Sequence, residues 1–390
     1  MLDMVETKSQ QKKLLTQLEK IPLTRMYEAS FKAVVRLHLY FTGRTHELFG
    51  EFSEKAQALI LKKAGKDQVL DGATGYQVQI KLLEMWEKTF EIWKSEFQRL
   101  RVEAASIPFG VMAVAHERLI LPNLLNREER KEREENLFES VEDGVFSPQL
   151  SVLLNAASEH LYGDSLNLSA RIWNVDREAQ DGINVVLLKG ITNGDSAWNI
   201  AKDLEQFLGA NEDCPRWTST RLYGRTKSEI AAGDTTGLLR GDECDGSGVS
   251  YNALRLSRTE ISKAHALATD KILASQPWVK AEKINLSPAH GKTDKCDDVA
   301  RGGEEVDGVY EVGTIELPLH PNCLCYKTAV LMAEKEFTSK LNGWLKGEQD
   351  WAELDQYENM LGGDVSKSVL PNAINLAVWL FSEDLEKLTK

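Results

Sequence analysis

Between residues 286 and 326 the sequence gathers three of its 5 cysteines and two of its 7 histidines, the side chains that bind zinc-like ions as thiolate and neutral imidazole. One block, Ser287-Pro-Ala-His-Gly-Lys-Thr-Asp-Lys-Cys296, offers His290 and Cys296. The other, Leu317-Pro-Leu-His-Pro-Asn-Cys-Leu-Cys-Tyr326, offers His320, Cys323 and Cys325, and an acidic, Gly-rich connector at 301–313 separates the two. Two ligand pairs joined by a loop are the usual way a chain supplies the four ligands of a structural zinc ion. The spacing here is irregular: His-x5-Cys is no standard knuckle, and Cys-x-Cys leaves one of Cys323 and Cys325 free to point away. The same residues read equally as reduced core thiols and hydrogen-bonded histidines closing a hairpin, because Cys is among the most buried residue types. A disulfide or a catalytic centre is the remaining reading. Prolines 288, 318 and 321 stiffen both blocks and suit a pre-formed site or a tight join alike. As an enzyme, the chain would be a metal-dependent hydrolase with His290, Cys296, His320 and Cys323 as ligands and Glu260 or Asp294 as general base. Catalytic zinc usually has three protein ligands and an open position, so five candidates in one loop favour a closed, non-catalytic site.

The elements that must position this loop follow from patterning. Ser257-Arg-Thr-Glu260 fits a capping box opening a helix over 258–274; the alternative is an Arg258–Glu260 ion pair tying that helix to the Cys/His loop, with His265 a core histidine. Pro277-Trp278 ends the helix, and extended segments at 279–286, 309–312 and 314–317 predict a small sheet backing the loop, with Trp278 and Asp294 as structural organisers. The fold class expected is mainly α with a small β element (α+β).

Upstream, residues 8–65 read as helices broken near Pro22 and punctuated by Gly43 and Gly50. After the turn cluster at 71–75, Ile80, Leu83, Trp86, Phe90, Trp93, Phe97 and Leu100 recur at helical spacing as far as Pro108, a seam expected to pack within the molecule. The mixed-sign run at 126–143 reads as a solvated helix, and 150–161 as a further helix broken at 162–165. From Leu166 a new unit begins, with a helix carrying Ile172 and Trp173, an apolar segment at 183–188, a turn at 192–195, and a short helix whose Trp198, Ala201, Leu204, Phe207 and Leu208 face one side. The stretch 209–250 is Gly-rich and reads as an irregular loop; its Gly241–Gly248 portion lacks the ligand spacing of a calcium loop. In the tail, helices are expected at 335–345 and 372–388, with Trp379, Leu380 and Phe381 packed on the domain or docked on a partner.

A net charge of −13 with 42% hydrophobic residues and a mean hydropathy of −0.35 describe a globular chain that repels nucleic acid over most of its surface, leaving at most a local DNA contact. No apolar run of about eighteen residues is evident, and the polar start lacks the apolar core of a secretory signal, so no membrane association and synthesis in the cytoplasm are expected. An odd cysteine count scattered over a long chain is not a disulfide framework.

The run from Tyr251 to Tyr326 carries an ordered set of motifs: Asn-Ala-Leu-Arg-Leu-Ser-Arg-Thr-Glu-Ile at 252–261, Trp278, Ser-Pro-Ala-His…Asp-x-Cys at 287–296, Gly-Val-Tyr at 308–310 and His-Pro-Asn-Cys-Leu-Cys at 320–325. In this combination it resembles the Mu F-like phage head morphogenesis family, and Leu-Ser-Ala-Arg-Ile-Trp at 168–173 resembles the upstream helical portion of the same domain. The resemblance implies a non-enzymatic minor head protein of the virion, made in the host cytoplasm and bound to the portal protein. It further implies possible contact with the major capsid protein and a role in packaging or ejection; a genome-end DNA-binding protein is the third alternative. On this reading residues 1–165 form a helical, portal- or capsid-contacting region, 166–330 the Mu F-like domain with a long insertion at 209–250, and 331–390 an acidic helical tail.

Overall fold

The computed structural model describes residues 8–64, 69–125, 128–129, 147–160, 165–208, 249–288, 290, 293–303, 307–366 and 369–381. The runs at 126–143 and 209–250 fall almost wholly outside these residues. The described chain is mainly α-helical with one small antiparallel sheet, the class expected. After α1 (Lys8–Leu18) and a 3-10 turn at Leu23–Arg25, two long helices form the frame, α2 (Met26–Lys63) and α3 (Gly72–Leu119). Asp71 starts α3 by accepting hydrogen bonds from the amides of Ala73 and Thr74, each at 2.9 Å. Trp86, Phe90, Trp93 and Phe97 then line one face and meet Phe41, Phe49 and Phe52 of α2, with ring centroids 5.2–6.1 Å apart for the nearest pairs. The seam is therefore intramolecular. Buried Val78 and Leu82 complete its first turns, while Ile80 stands 43% exposed, because the helical stripe rotates one position from the one read in sequence.

Three sequence expectations fail for one reason, that dense packing carries helices through residues that would break them in isolation. Gly43 and Gly50 lie inside α2, and Pro108 lies inside α3. The third is the supposed apolar segment at 183–188, which continues a helix over Leu168–Asn193. With α4 (Ser147–Glu159) first, the chain proceeds to α5 (Leu168–Asn193), α6 (Ala197–Leu208) and α7 (Val249–Ser275). Asn167 caps α5 through the Ala170 amide, and Gly194 ends it in the left-handed region at φ +70°. Ser196 receives the Asn199 amide at the start of α6. Ile200, Ala201, Leu204 and Leu208 face the core, whereas Trp198 is 64% exposed and belongs to the outer face.

The sheet has order β2-β1-β3, formed by Val309–Tyr310, Val279–Asn285 and Tyr326–Leu331, all antiparallel. Residues 314–317 are not a strand; the third strand is Tyr326–Leu331. A short helix α8 (Lys295–Arg301) follows β1, and α9 (Glu334–Leu345), α10 (Ala352–Met360) and α11 (Ile374–Phe381) close the described chain. Trp379 is buried against α3, donating to Glu103 at 2.9 Å, and Asn375 donates to Ser106 at 2.8 Å. Gly110 of α3 leaves no room there, since a Cβ would lie 2.9 Å from the Leu376 side chain. One hydrophobic cluster runs from Leu15 to Trp379, so residues before 165, between 166 and 330, and after 331 share a core.

An 18-residue window within Gly72–Leu124 has a mean hydropathy of 1.3, enough by length and composition to cross a bilayer and contrary to the sequence expectation, but 78% of that window is buried within the fold. That burial identifies the core helix, whose apolar surface is spent on α2, α7 and the tail.

Candidate metal centre

Helix α7 anchors the centre to the helical frame through a row of polar pairs with antiparallel α2. Tyr27 donates to Gln276 (2.6 Å), Ser30 pairs with His265 (2.8 Å), His38 with Ser262 (3.0 Å), and Arg258 donates to Thr42 (2.9 Å). Removal from water holds both histidines neutral: burial, then the Arg258 charge, lowers His38 to about 3, and burial lowers His265 to about 3. The Arg-Thr-Glu motif acts differently from expectation. Because α7 starts at Val249, Ser257 lies inside the helix and donates back to Leu254 O at 3.0 Å, so no capping box forms there. The helix meets the Cys/His loop through Thr259, whose hydroxyl accepts the Asn322 amide at 3.2 Å. Arg258 reaches α2, and Glu260 is buried beside Lys263.

Each block of the loop folds for local reasons. In Asp294-Lys-Cys-Asp297, Asp294 caps α8 by accepting the Cys296 amide at 2.7 Å, and Asp297 returns the contact by accepting the Asp294 amide at 3.0 Å. A real capping box thus sits 37 residues downstream of the expected one, and it presents Cys296 inward from the first helical turn. In His320-Pro-Asn-Cys323 the Cys323 amide donates to His320 O at 3.1 Å, and Asn322 has φ +60°. Pro at the second turn position and Asn at the left-handed third are what a type II turn requires, and the turn brings Cys323 back over His320. Beyond it the extended chain alternates. Leu324 and Tyr326 face Phe31, Val35 and Leu39 of α2, with Tyr326 stacked on Phe31 at 4.1 Å, while Cys323 and Cys325 both face Cys296. Neither thiol points away, because residues two apart in an extended chain share a face.

Four short distances define the centre. Cys296 Sγ lies 3.6 Å from Cys323 Sγ and 3.3 Å from His320 Nε2, and His320 Nε2 lies 3.3 Å from Asp294 Oδ2. His290 Nε2 lies 2.7 Å from Asp297 Oδ2. All five sequence candidates, His290, Cys296, His320, Cys323 and Cys325, are brought together. They form two ligand groups, His290–Cys296–Cys325 and Cys296–His320–Cys323, whose donor atoms lie within 4.8 Å of one another, close enough to bind a metal ion. Cys296 belongs to both. The three cysteines are free thiols, two buried and one half-buried; Cys214 and Cys244 lie outside the described residues. Hydrogen bonds from Cys296, then Cys325 and His320, pull the Cys323 thiol far below its usual range against the effect of burial, while the contact with Cys323 pushes Cys296 far up. The same thiolate, foremost among its neighbours, raises His320. Against the lowering effect of Cys296, contact with Cys323 and burial push the Cys325 thiol up as well, so the cluster holds one thiolate, at Cys323, with Asp294 and Asp297 beside its histidines.

Around it a second set of contacts fixes the ligands. Asp297 is held below the usual carboxylate range: burial raises it, but the Asp294 amide, His290 and Arg301 outweigh that. His320 Nδ1 lies 2.9 Å from Pro321 O, leaving Nε2 for the cluster. Sequence reasoning missed the pair that fastens the sheet behind the site, Glu282 on β1 and Lys327 on β3. Glu282 accepts from Lys327 at 2.9 Å and from the amides of Gly313 and Ile315 at 3.0 Å, and Lys327 also pairs with Asp270 of α7. No motif marks them; only a charged residue at an inward strand position could have. Trp278 closes the other end, edge-on to Tyr357 at 5.2 Å and to Phe337 at 6.3 Å. Comparison with protein-family models, with curated proteins and with solved structures gives no match to this chain.

Proposed function

We propose that this chain is a minor head protein of a tailed phage, of the Mu F-like kind, that associates with the portal protein, and that its Cys/His cluster holds a structural zinc ion. The observation that carries the reading is convergence. The motif pieces at 252–261, 287–296 and 320–325 are separated in sequence, yet Thr259 touches Asn322, Cys296 touches Cys323 and His320, and Asp294 touches both Cys296 and His320. An ordered motif set that forms one physical unit is what a family signature requires.

The donor set fits zinc. Tetrahedral bonds of about 2.3 Å to sulfur and about 2.0 Å to nitrogen imply edges of roughly 3.7 Å between sulfurs and roughly 3.5 Å between sulfur and nitrogen, against 3.6 and 3.3 Å here. Asp297 on His290 and Pro321 O on His320 are the outer contacts that orient imidazole ligands and fix their tautomers. Zinc bound there supplies a cross-link between α8 and the 320–325 turn, with Cys296 a ligand in either group. The hydrolase reading is the weaker. Asp294 is engaged as a helix cap, and the clefts lined by Val175 and Phe207 and by Val152 and Leu267 include none of the five donors. Mass spectrometry of assembled particles, with pull-down of the portal protein on a tagged copy of this chain, tests the reading. Stoichiometric retention in mature particles and portal capture are expected; absence from particles overturns it.

A further inference from the structure

The three thiols of the module are divided unequally between its two blocks. Cys296 stands alone in the first, in the opening turn of α8, while Cys323 and Cys325 both belong to the second. All three are free. Cys296 Sγ lies 3.6 Å from Cys323 Sγ although 27 residues separate them in the chain. A disulfide bond is about 2.05 Å long, so the gap to close is about 1.5 Å. The sulfurs also lie one side chain below the surface. His320, whose Nε2 is 3.3 Å from Cys296 Sγ, and its neighbour Asp294 have side chains 27% and 26% exposed, which gives a small oxidant a way in.

We propose that the module carries a redox-exchangeable cross-link: a peroxide joins Cys296 to Cys323 as a disulfide, which takes over the tie between α8 and the 320–325 turn and expels the metal. In the first step one sulfur attacks the peroxide, the O–O bond breaks, a sulfenic acid forms and one water leaves. In the second the other sulfur attacks the sulfenic acid, its S–O bond breaks, the S–S bond forms and a second water leaves. The two sulfurs give up two electrons and the peroxide takes them; the two protons come from the thiols or, where zinc has displaced those, from solvent. The bond withdraws two of the three donors in the Cys296–His320–Cys323 group. A bond between Cys323 and Cys325 would leave the two blocks untied, which is why Cys296 is the required partner. The expulsion of metal rests on the zinc reading above, whereas the disulfide does not.

The test treats the full chain, freed of reductant, with a small excess of hydrogen peroxide and reads released zinc with a chromogenic chelator against an untreated sample. Trypsin cuts after Lys295 and Arg301, which leaves Cys296 on a peptide separate from the one that holds Cys323 and Cys325. Mass mapping without reduction should show these two peptides linked, with about one zinc ion released per disulfide, and dithiothreitol with added zinc should reverse both changes. Cys325→Ser should keep the link, since the Cys296–Cys323 pair is intact, whereas Cys296→Ser should abolish it. A zinc-loaded chain that keeps its thiols, oxidation of single thiols to sulfinic acid, linkage of Cys296 to Cys214 or Cys244, or loss of the link in Cys325→Ser would each overturn the proposal. An untreated chain without zinc would end the zinc reading by itself, and the peptide map would still decide the disulfide.

Discussion

The α2–α3 seam and the Cys/His module are built on opposite principles although Tyr326 and Phe31 join them. In the seam, seven aromatic side chains between Phe41 and Phe97 are almost wholly removed from water, and polar contacts are few: Trp93 donates to Thr45 at 3.1 Å, Trp86 to Asp176 at 2.8 Å, and Arg44 pairs with Glu96 at 3.0 Å. Such a seam needs no partner, since each buried aromatic contributes by area and ring contact alone. The module has three short strands, a seven-residue helix and a small apolar cluster to which it supplies only Leu324 and Tyr326, against Phe31, Val35 and Leu39 of α2. Its interior is instead polar, with Glu282, Lys327, His290, Asp297 and the thiols all buried or nearly so. Buried ion pairs contribute little net stability because desolvation offsets attraction. The lesson is that the module lacks the apolar area that holds the seam, a gap that the zinc cross-link proposed above would fill, while the seam supplies the wall against which the loop is set.

The largest effect should come from the seam. Trp93→Ala removes a fully buried ring together with its hydrogen bond to Thr45, and should cost about 3–5 kcal/mol of global stability in denaturant unfolding. A loss under about 1 kcal/mol would mean the seam is not the organising core. Cys323→Ser should be nearly as severe, but only in zinc. It should raise hydrogen exchange across β1 and β3 while leaving α3 protected, and chelator should bring wild type to the same state. Equal loss with and without zinc would reduce Cys323 to a core thiol; a conservative change at the nearby Thr293 should cost under about 0.5 kcal/mol.

Smaller effects sharpen the comparison. Asp297→Asn loosens His290 and the α8 capping box together and should lower zinc affinity about 10–100-fold; unchanged affinity would remove Asp297 from the ligand support. The most conditional effect, absent at neutral pH, is that of pH at the α2–α7 row. His38 and His265 are held at about 3 in the fold against about 6.5 unfolded, so they stay neutral in the native state. Their contribution is fully present above about pH 6.5 and is lost as pH falls toward 3, at up to about 1.4 kcal/mol per pH unit each. Asp270, raised to about 6 by burial, acts in the opposite sense below that value. The stability gap between wild type and His38→Gln isolates the histidine: it should narrow steadily from pH 6.5 to 4, and a constant gap would refute the neutral-pair account.

Much of this was legible in sequence because it obeyed local rules. Trp86 to Leu100 declared a helix face by spacing, and five ligand-type residues in two blocks declared a common site. What failed was decided by context. Gly43, Gly50 and Pro108 signal breaks only where packing does not hold the helix. Ser257-Arg-Thr-Glu260 satisfies the capping-box pattern, but Val249 to Leu256 already supply the preceding turns. The contribution of Thr259, and the Glu282–Lys327 pair, depend on contacts across 63 and 45 residues, which local patterning does not encode.

The central claim is that the module is closed by a metal, and elemental analysis of protein purified without added zinc, paired with melting curves in chelator, tests it most directly. The account predicts about one equivalent of zinc per chain and a chelator-induced early transition confined to residues 279–331. Less than about a tenth of an equivalent, together with a melting curve that chelator leaves unchanged, would contradict it.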